Sequence, residues 1–256
     1  MTAYNIADLS AFGQFFTAGI NDQGEIVSAF SVNIGSDSRV IGYFLNGAAL
    51  TTFGLDTQPN MLGFSTGDIN NSGEIVGTIQ NGTFINQTVT FTGVTGFFTN
   101  SPQPVSTISG FAANGINDSG VIVGSGGVYN KGVITPLSVP NAAPNTTVAM
   151  GINDAGTIVG YYQDSAGKTH GFIYQNSTFT TVDDPNGNNN TYLTAINDSG
   201  TIVGYYRDLS DVLHFTHGLV YNGSTFTTLD DGQNTELTGI NNNGVIVGTA
   251  GYLPTE

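Results

Sequence analysis

A short sequence that occurs six times is the feature that most constrains the fold of this chain. The copies share the pattern Ile-Asn-x-x-Gly-x-Ile-Val, and they begin at Gly19, Asp68, Gly115, Gly151, Ala195 and Gly239. They lie on average about 44 residues apart. A period of about 20 to 50 residues is typical of solenoids, propellers and other arrays of one repeated unit. We therefore expect residues 1–256 to form a single repeat domain.

Each unit is predicted to contain four short strands. The fourth and fifth copies show this best, because TIVGYYQDSAGKTHGFIYQNSTFTTVDD, from Thr157, aligns with TIVGYYRDLSDVLHFTHGLVYNGSTFTTLDD, from Thr201. One strand ends at the Ile-Asn pair, and the next three contain IVGYY, then HGFIY or HGLVY, then TFTTVD or TFTTLD. The Asn-Asp-x-Gly sequence after the first strand is typical of a tight turn in which Gly takes a positive φ.

The adjacent Ile and Val in every second strand indicate how the units pack. Successive side chains of a strand point to opposite faces, so an Ile-Val pair is typical of a sheet that is covered on both faces. Blades of a β-propeller meet this requirement, because each blade lies between two neighbours. The predicted fold class is all-β, a single six-bladed β-propeller with four-stranded blades.

The two ends of the chain suggest how the ring closes. The chain ends after two or three strands of the sixth unit, and the N-terminal run AYNIADLS resembles the fourth strand that is missing there. An open solenoid carries distinct capping repeats, so we expect a closing blade shared between the N- and C-terminal strands. If the N-terminal strand instead closed a neighbouring copy, chains would join head to tail, and self-assembly is the alternative that this arrangement leaves open.

The repeats resemble those of the HAF-repeat proteins, a bacterial family of extracellular repeat proteins of propeller type. In residues 4–9 the run Tyr-x-x-x-Asp-Leu leads towards Ile-Asn-x-x-Gly-x-Ile-Val, as in that family. The His-Ala-Phe motif corresponds to His170-Gly171-Phe172 and His217-Gly218-Leu219, whereas the first unit has Ile41-Gly42-Tyr43. The resemblance implies an extracellular or cell-envelope setting, and it implies no catalytic residues.

Charge and composition exclude several classes of partner and chemistry. Four Lys and Arg stand against nineteen acidic residues, a formal net charge of −15. These cations are too few to neutralise the phosphates of a nucleic acid or an anionic membrane surface. The absence of Cys excludes disulfides, a thiol nucleophile and Cys-ligated metals. No run reaches the about 18 to 20 apolar residues of a membrane span, and the first residues lack the basic start of a signal peptide.

The predicted strand order separates uniform turns from variable loops. Turns between strands one and two and between strands three and four lie at one end of the blades. Loops between strands two and three, and those between blades, lie at the other end and vary in length and chemistry. Variable loops gathered on one face are typical of a binding surface. We therefore expect a non-catalytic binding or assembly module, with a carbohydrate, peptide, small molecule or second copy as its partner.

The variable loop of the fifth unit is the richest in candidate catalytic residues. Arg207, Asp208, Asp211 and His214 follow one another closely there. A carboxylate pair beside a His suits acid–base chemistry, so a lyase, hydrolase or isomerase acting on a small or sugar-like substrate is the alternative function. The opposing interpretation is a solvated loop in which the Asp residues cap turns.

Aromatic and acidic residues near the same face are the remaining candidates. Sugars and peptides stack on exposed aromatic rings, so we expect a ligand to contact Tyr161, Tyr162, Tyr205 and Tyr206, together with Arg207 and Asp208. The alternative for the tyrosines is packing between blades. No cofactor is expected apart from calcium, for which the candidate ligands are Asp183, Asp184, Asp230 and Asp231.

Two recurring polar residues are interpreted as structural. His170 and His217 occupy the same position of the repeat, so we expect each to form a hydrogen bond within its own blade. The Asp of the Asn-Asp-x-Gly turn is replaced by Asn in the second and sixth copies. An amide that replaces a carboxylate within one chain favours a turn-forming role for this position over a metal ligand.

Overall fold

The computed structural model describes residues 18–34, 37–47, 49–53, 61–85, 88–100, 106–208, 216–230 and 234–251. Within these ranges the regular structure consists of antiparallel β-strands in six sheets. No helix in this part of the chain has the length and apolar character needed to cross a bilayer.

The strands follow one another in chain order within each sheet. Blade 1 contains β1 (Ala18–Ile20), β2 (Ile26–Ile34), β3 (Asp37–Asn46) and β4 (Ala49–Phe53). Blade 2 contains β5 (Met61–Ile69), β6 (Glu74–Ile85), β7 (Thr88–Asn100) and β8 (Ser106–Ser109). Blade 3 contains β9 (Ala113–Ile116), β10 (Ile122–Gly124), β11 (Gly127–Asn130) and β12 (Val133–Pro136).

The second half of the chain repeats this arrangement. Blade 4 contains β13 (Val148–Ile152), β14 (Ile158–Gln163), β15 (Thr169–Gln175) and β16 (Thr178–Val182). Blade 5 contains β17 (Thr191–Ile196), β18 (Ile202–Arg207), β19 (Thr216–Tyr221) and β20 (Phe226–Leu229). Blade 6 contains β21 (Asn234–Ile240) and β22 (Ile246–Gly251) within the described residues.

The prediction of a six-bladed all-β propeller is confirmed, with four strands in each of the first five blades. Five sheets have four strands each, and blade 6 has two strands in the part of the chain that the structure describes. The described residues close the ring, because Asn241 Nδ2 of blade 6 donates to the carbonyl oxygen of Asn21 in blade 1 at 3.0 Å. The terminal segments that we expect to share the closing blade lie outside the described residues.

The Ile-Val pairs pack the blades against each other. In blade 4, Ile158 packs in an apolar cluster with blade 3, and the adjacent Val159 packs in the next cluster with blade 5. In blades 3 and 5, too, the Ile packs against the preceding blade and the Val against the following blade. Val159 is 0% exposed, and burying such a side chain contributes about 1.5 to 3 kcal/mol. The core of the molecule therefore consists of layers between blades.

A glycine follows the Ile-Val pair in five units because the neighbouring inner strand is irregular. In blade 5 the register of β17 against β18 shifts beside Thr194, and a Cβ on Gly204 would lie 2.0 Å from the Tyr192 carbonyl oxygen. The same shift lies opposite Gly77, Gly124, Gly160 and Gly248. Blade 1 has Ser28 instead, and its described register runs without a shift. The glycine thus accommodates a β-bulge.

Candidate functional site

Six asparagines link the blades on the face of the uniform turns. Each Nδ2 donates to the backbone carbonyl of the matching Asn in the next blade, at 3.0 to 3.2 Å. Each Oδ1 accepts the amide four residues later, at 2.9 to 3.0 Å. We call this buried set the asparagine ring, which consists of Asn21, Asn70, Asn117, Asn153, Asn197 and Asn241.

The residue after each ring asparagine forms a second circle, which we call the rim. The backbone amide of each rim residue donates to Oδ1 of the rim residue in the next blade, at 2.8 to 2.9 Å. In order around the channel the rim consists of Asp22, Asn71, Asp118, Asp154, Asp198 and Asn242. The expectation that these aspartates form their own turns is wrong, because the preceding Asn caps the turn and the rim side chain bonds to a neighbouring blade. Either Asp or Asn supplies the Oδ1 acceptor, which explains why both occur.

The rim alternates between acid and amide except at one position. Asn71 Nδ2 donates to Oδ2 of Asp22 and of Asp118, at 2.9 and 2.8 Å. Asp154 instead lies between two aspartates. Burial raises the pKa of its carboxyl, the charges of Asp118 and Asp198 raise it further, and a backbone hydrogen bond from Asp118 opposes them.

Replacing Asp154 by Asn is expected to stabilise the protein by about 1 kcal/mol near neutral pH. The new amide would donate to the carboxylates on both sides and complete the alternation. Folding raises the pKa of Asp154 above 3.8, so its contribution to stability is present below that pH and is lost as the pH rises through the folded value. Urea denaturation should therefore show the advantage of Asp154→Asn near neutral pH and little difference in acid.

The matched control is the same substitution at Asp22. Burial opposes ionisation there, but hydrogen bonds from Asn242 and Asn71 lower the pKa of the carboxyl below its usual value. Asp22→Asn would place three amides in a row, so we expect it to destabilise the protein near neutral pH. If both variants shifted the urea midpoint in the same direction, alternation would not govern the stability of the rim.

A central cavity of about 70 Å³ lies between the inner strands, and Asp68 lines it together with the rim and every residue of the asparagine ring except Asn70. Asp68 Oδ1 accepts the amide of Ile69 at 2.9 Å, and Oδ2 accepts the amide of Ile116 at 3.4 Å. Burial raises the pKa of this carboxyl to about 7, against the opposing effect of the two hydrogen bonds. Asp68 is therefore a buried carboxyl of the channel with a pKa of about 7.

On the variable face, blades 4 and 5 carry the same cluster of Tyr, His and Asp. The His Nδ1 bonds to the Asp Oδ2, at 2.8 Å in blade 4, and the His ring stacks on the Tyr with centroids 5.0 to 5.2 Å apart. The two clusters are Tyr162, His170 and Asp183 in blade 4, and Tyr206, His217 and Asp230 in blade 5. The prediction that both histidines bond within their blades is confirmed.

Three further tyrosines pack between blades 4 and 5. Tyr192 lies between Tyr161, with ring centroids 5.0 Å apart, and Tyr205, with ring centroids 4.6 Å apart. Burial raises the pKa of Tyr161 and of Tyr205. Tyr206 is only 6% exposed. Tyr161 and Tyr206 thus pack between blades, as the alternative to ligand binding predicts. Tyr205 packs there too, but it also borders blade 6.

Electrostatic interactions link Tyr205, Arg207 and Glu236 where blades 5 and 6 meet, and we call this place the 5–6 cleft. Burial raises the pKa of Glu236, whereas the charge of Arg207 and a hydrogen bond with Thr216 lower it. After burial, Glu236 has the largest effect in raising the pKa of Tyr205. No ion pair within 4.0 Å joins Arg207 to Glu236. Two opposite charges and an aromatic ring therefore share one cleft.

Sequence reasoning identified Arg207 and Tyr205 but missed Glu236. Glu236 occupies the position in blade 6 that Tyr192 occupies in blade 5, since Leu193 and Leu237 follow them in the aligned strands. An acid in place of an aromatic residue was the available signal. Glu236 matters because it interacts with Tyr205 and Arg207 of the neighbouring blade. An alignment of the repeats does not show that interaction.

The other candidate residues of the fifth unit are only partly described. Asp208 Oδ1 accepts a hydrogen bond from Asn188 Nδ2 at 3.4 Å. Asp211, His214 and Asp231 lie outside the described residues. The enzymatic alternative depends on His214 and therefore stays a prediction.

Comparison with known proteins supports the fold. No protein-family model matches the chain, and no curated protein sequence matches it. Among solved structures, an Aleuria aurantia lectin mutant in complex with alpha-methyl-L-fucoside is similar, with a TM-score of 0.51, 11% identity, and coverage of 93% of this chain and 78% of the lectin. A fucose-specific lectin from Aleuria aurantia has a TM-score of 0.50, 12% identity, and coverage of 93% and 79%. At this identity, the likeness shows a shared fold.

Proposed function

We propose that the protein is a non-catalytic, extracellular or cell-surface β-propeller that binds carbohydrate on its variable-loop face. The observation that carries this proposal is the meeting of Arg207, Glu236 and Tyr205 in the 5–6 cleft. Arg207 is exposed and ends β18, Tyr205 is half-buried in the same strand, and Glu236 is half-buried in β21 of blade 6. Side chains of these three types in one cleft provide donors, acceptors and an apolar surface for a sugar.

The chemistry of the cleft suits the hydroxyl groups of a sugar. A guanidinium presents up to five N–H donors, and a carboxylate presents only acceptors. A sugar hydroxyl both donates and accepts, so one hydroxyl would bond to Arg207 while its neighbour bonds to Glu236. Hydrogen bonds to charged groups are the stronger ones. The aromatic face of Tyr205 would pack against the C–H groups of the sugar ring.

Two further observations support the proposal. Two of the similar structures are lectins, and one of these is in complex with alpha-methyl-L-fucoside. The resemblance of the repeats to HAF-repeat proteins supports an extracellular or cell-envelope setting. The bond from Asn241 to Asn21 joins the last blade to the first within one chain, which supports a closed ring.

Replacing Arg207 by Ala is expected to weaken carbohydrate binding by about a hundredfold. Loss of two charge-assisted hydrogen bonds, at about 1.5 kcal/mol or more each, corresponds to such a change. A glycan array would select the ligand, and isothermal titration calorimetry would measure its affinity for the wild type and each variant. Glu236→Gln keeps the shape of the side chain but removes its charge, so we expect about a tenfold loss.

Gln163→Ala is the matched control, because Gln163 ends β14 in blade 4 as Arg207 ends β18 in blade 5. We expect this variant to bind like the wild type. Equal binding by Arg207→Ala would contradict the proposed cleft. Failure of the wild type to bind any glycan would contradict the proposed ligand class and favour a peptide, a small molecule or a second copy.

A further inference from the structure

Two buried carboxylate oxygens in the loop from blade 4 to blade 5 have no hydrogen-bond partner. They are Asp183 Oδ1 and Asp184 Oδ2, on consecutive residues. The other oxygens of both groups are engaged, since Asp183 Oδ2 bonds to His170 and Asp184 Oδ1 accepts the amide of Asn186 at 2.8 Å. Asp184 is only 2% exposed. Its unpartnered oxygen is therefore enclosed by protein.

Burial and hydrogen bonding with Asn186 act on the pKa of Asp184, and no positive charge is among these effects. The charges of Asp184, Asp230 and Asp208 all act on the same neighbour, because each raises the pKa of Tyr206. Burial raises the pKa of Asp184 itself, against hydrogen bonding with Asn186. A buried carboxylate without a partner is unfavourable by several kcal/mol unless a cation or a donor satisfies it. The orphaned oxygens thus indicate a missing positive partner.

We propose that loop 183–190 binds a calcium ion, with Asp184 Oδ2 and Asp183 Oδ1 as its carboxylate ligands. Calcium takes six to eight oxygen ligands in flexible geometry and accepts carbonyl groups and water beside carboxylates. In the described ranges no three His, Cys, Asp or Glu side chains are arranged to hold a metal by themselves. Main-chain carbonyls of the loop and water therefore complete the coordination, which suits calcium better than magnesium.

The loop connects this site to the neighbouring blade. The amide of Gly187 bonds to the Asp184 carbonyl at 3.0 Å, and the Asn190 carbonyl accepts the amide of Arg207 at 3.0 Å. A cation that orders the loop would therefore also fix the backbone at Arg207. The calcium site is inferred from the two unpartnered oxygens, and that inference does not depend on carbohydrate binding.

Calcium titration of the chelator-treated protein tests the site. Calcium chloride is expected to raise the midpoint of thermal denaturation by several degrees, and magnesium chloride should have a smaller effect. Asp184→Asn keeps the Oδ1 acceptor and removes the charge, so it should weaken calcium binding in calorimetry at least tenfold. Asp183→Asn should also weaken it. Asp198→Asn on the opposite face is the control and should retain the full response.

Hydrogen–deuterium exchange of the wild type gives a readout that needs no variant. Calcium should slow exchange of amides in loop 183–190 and leave the turn that contains Asn153 unchanged. Three results would overturn the proposal: a wild type that does not respond to calcium, an Asp184→Asn variant that binds calcium as the wild type does, or protection confined to other regions. If the wild type did not respond to calcium and were more stable in acid, Asp184 would be protonated in the folded protein.

Discussion

Replacing Asn197 by Ala is expected to lower the free energy of unfolding by about 3 kcal/mol. The Asn197 side chain accepts the amide of Thr201 at 2.9 Å and donates to the carbonyl of Asn241 at 3.2 Å. It is 6% exposed, so alanine would leave a half-buried amide and a buried carbonyl without these partners. The asparagine ring would also lose the link between blades 5 and 6. Equilibrium denaturation in urea measures the loss.

Asn222→Ala is the control that separates the ring bond from ordinary turn capping. Asn222 Oδ1 also accepts amides of its own turn, from Ser224 and Thr225 at 3.1 and 2.9 Å. It is exposed, so water replaces the lost bonds, and we expect a loss below about 1 kcal/mol. Similar losses for the two variants would show that the asparagine ring contributes no more than a local cap.

Replacing Gly204 by Ala is expected to destabilise the protein by about 3 kcal/mol or more. The new Cβ would lie 2.0 Å from the Tyr192 carbonyl oxygen and 3.0 Å from the Leu193 Cα. These are backbone atoms of the bulged inner strand, so relief requires the strand itself to move. Thermal and urea denaturation should both show the loss, and the bulge beside Thr194 would have to straighten for the variant to fold.

Ser28→Ala is the matched control, because Ser28 occupies this position in blade 1, where the described register shows no shift. Ser28 Oγ is buried without a hydrogen-bond partner, so its removal should be neutral or stabilising by up to about 1 kcal/mol. Alanine at the same position of the repeat would then destabilise the protein in blade 5 and not in blade 1. Equal destabilisation of both variants would show that the position, rather than the bulge, rejects a side chain.

The fold was predictable because the residues that specify the strands and turns lie close together within each repeat. The Ile-Val pairs require a sheet covered on both faces, and the structure shows Val159 and Val203 at 0% exposure between successive blades. The turn glycines were predictable for the same reason, since Gly156 and Gly200 have φ of 77° and 81°. Each inference needed only a short segment and the six copies of it.

The candidate sites were less predictable because they lie between units. Arg207 and Tyr205 stood out within their own repeat, but Glu236 reaches them from the next blade. The sequence predicts turn-forming roles for the rim residues, because it shows the turn in which each one lies. It does not show the turn of the neighbouring blade to which each side chain bonds. The Asp183-Asp184 pair was recognised as acidic, but only the packed loop shows that one oxygen of each is left without a partner.

By itself, the sequence determined the number of blades, the strand order and which loops share a face, because these follow from periodicity and alternation along one chain. The tertiary structure alone decided how blades bond to one another, where glycine accommodates a bulge, and which charges meet across a cleft. The physical reason is that hydrogen bonds and electrostatic interactions depend on distances of a few ångströms between segments about 44 residues apart. Only the closed ring sets those distances.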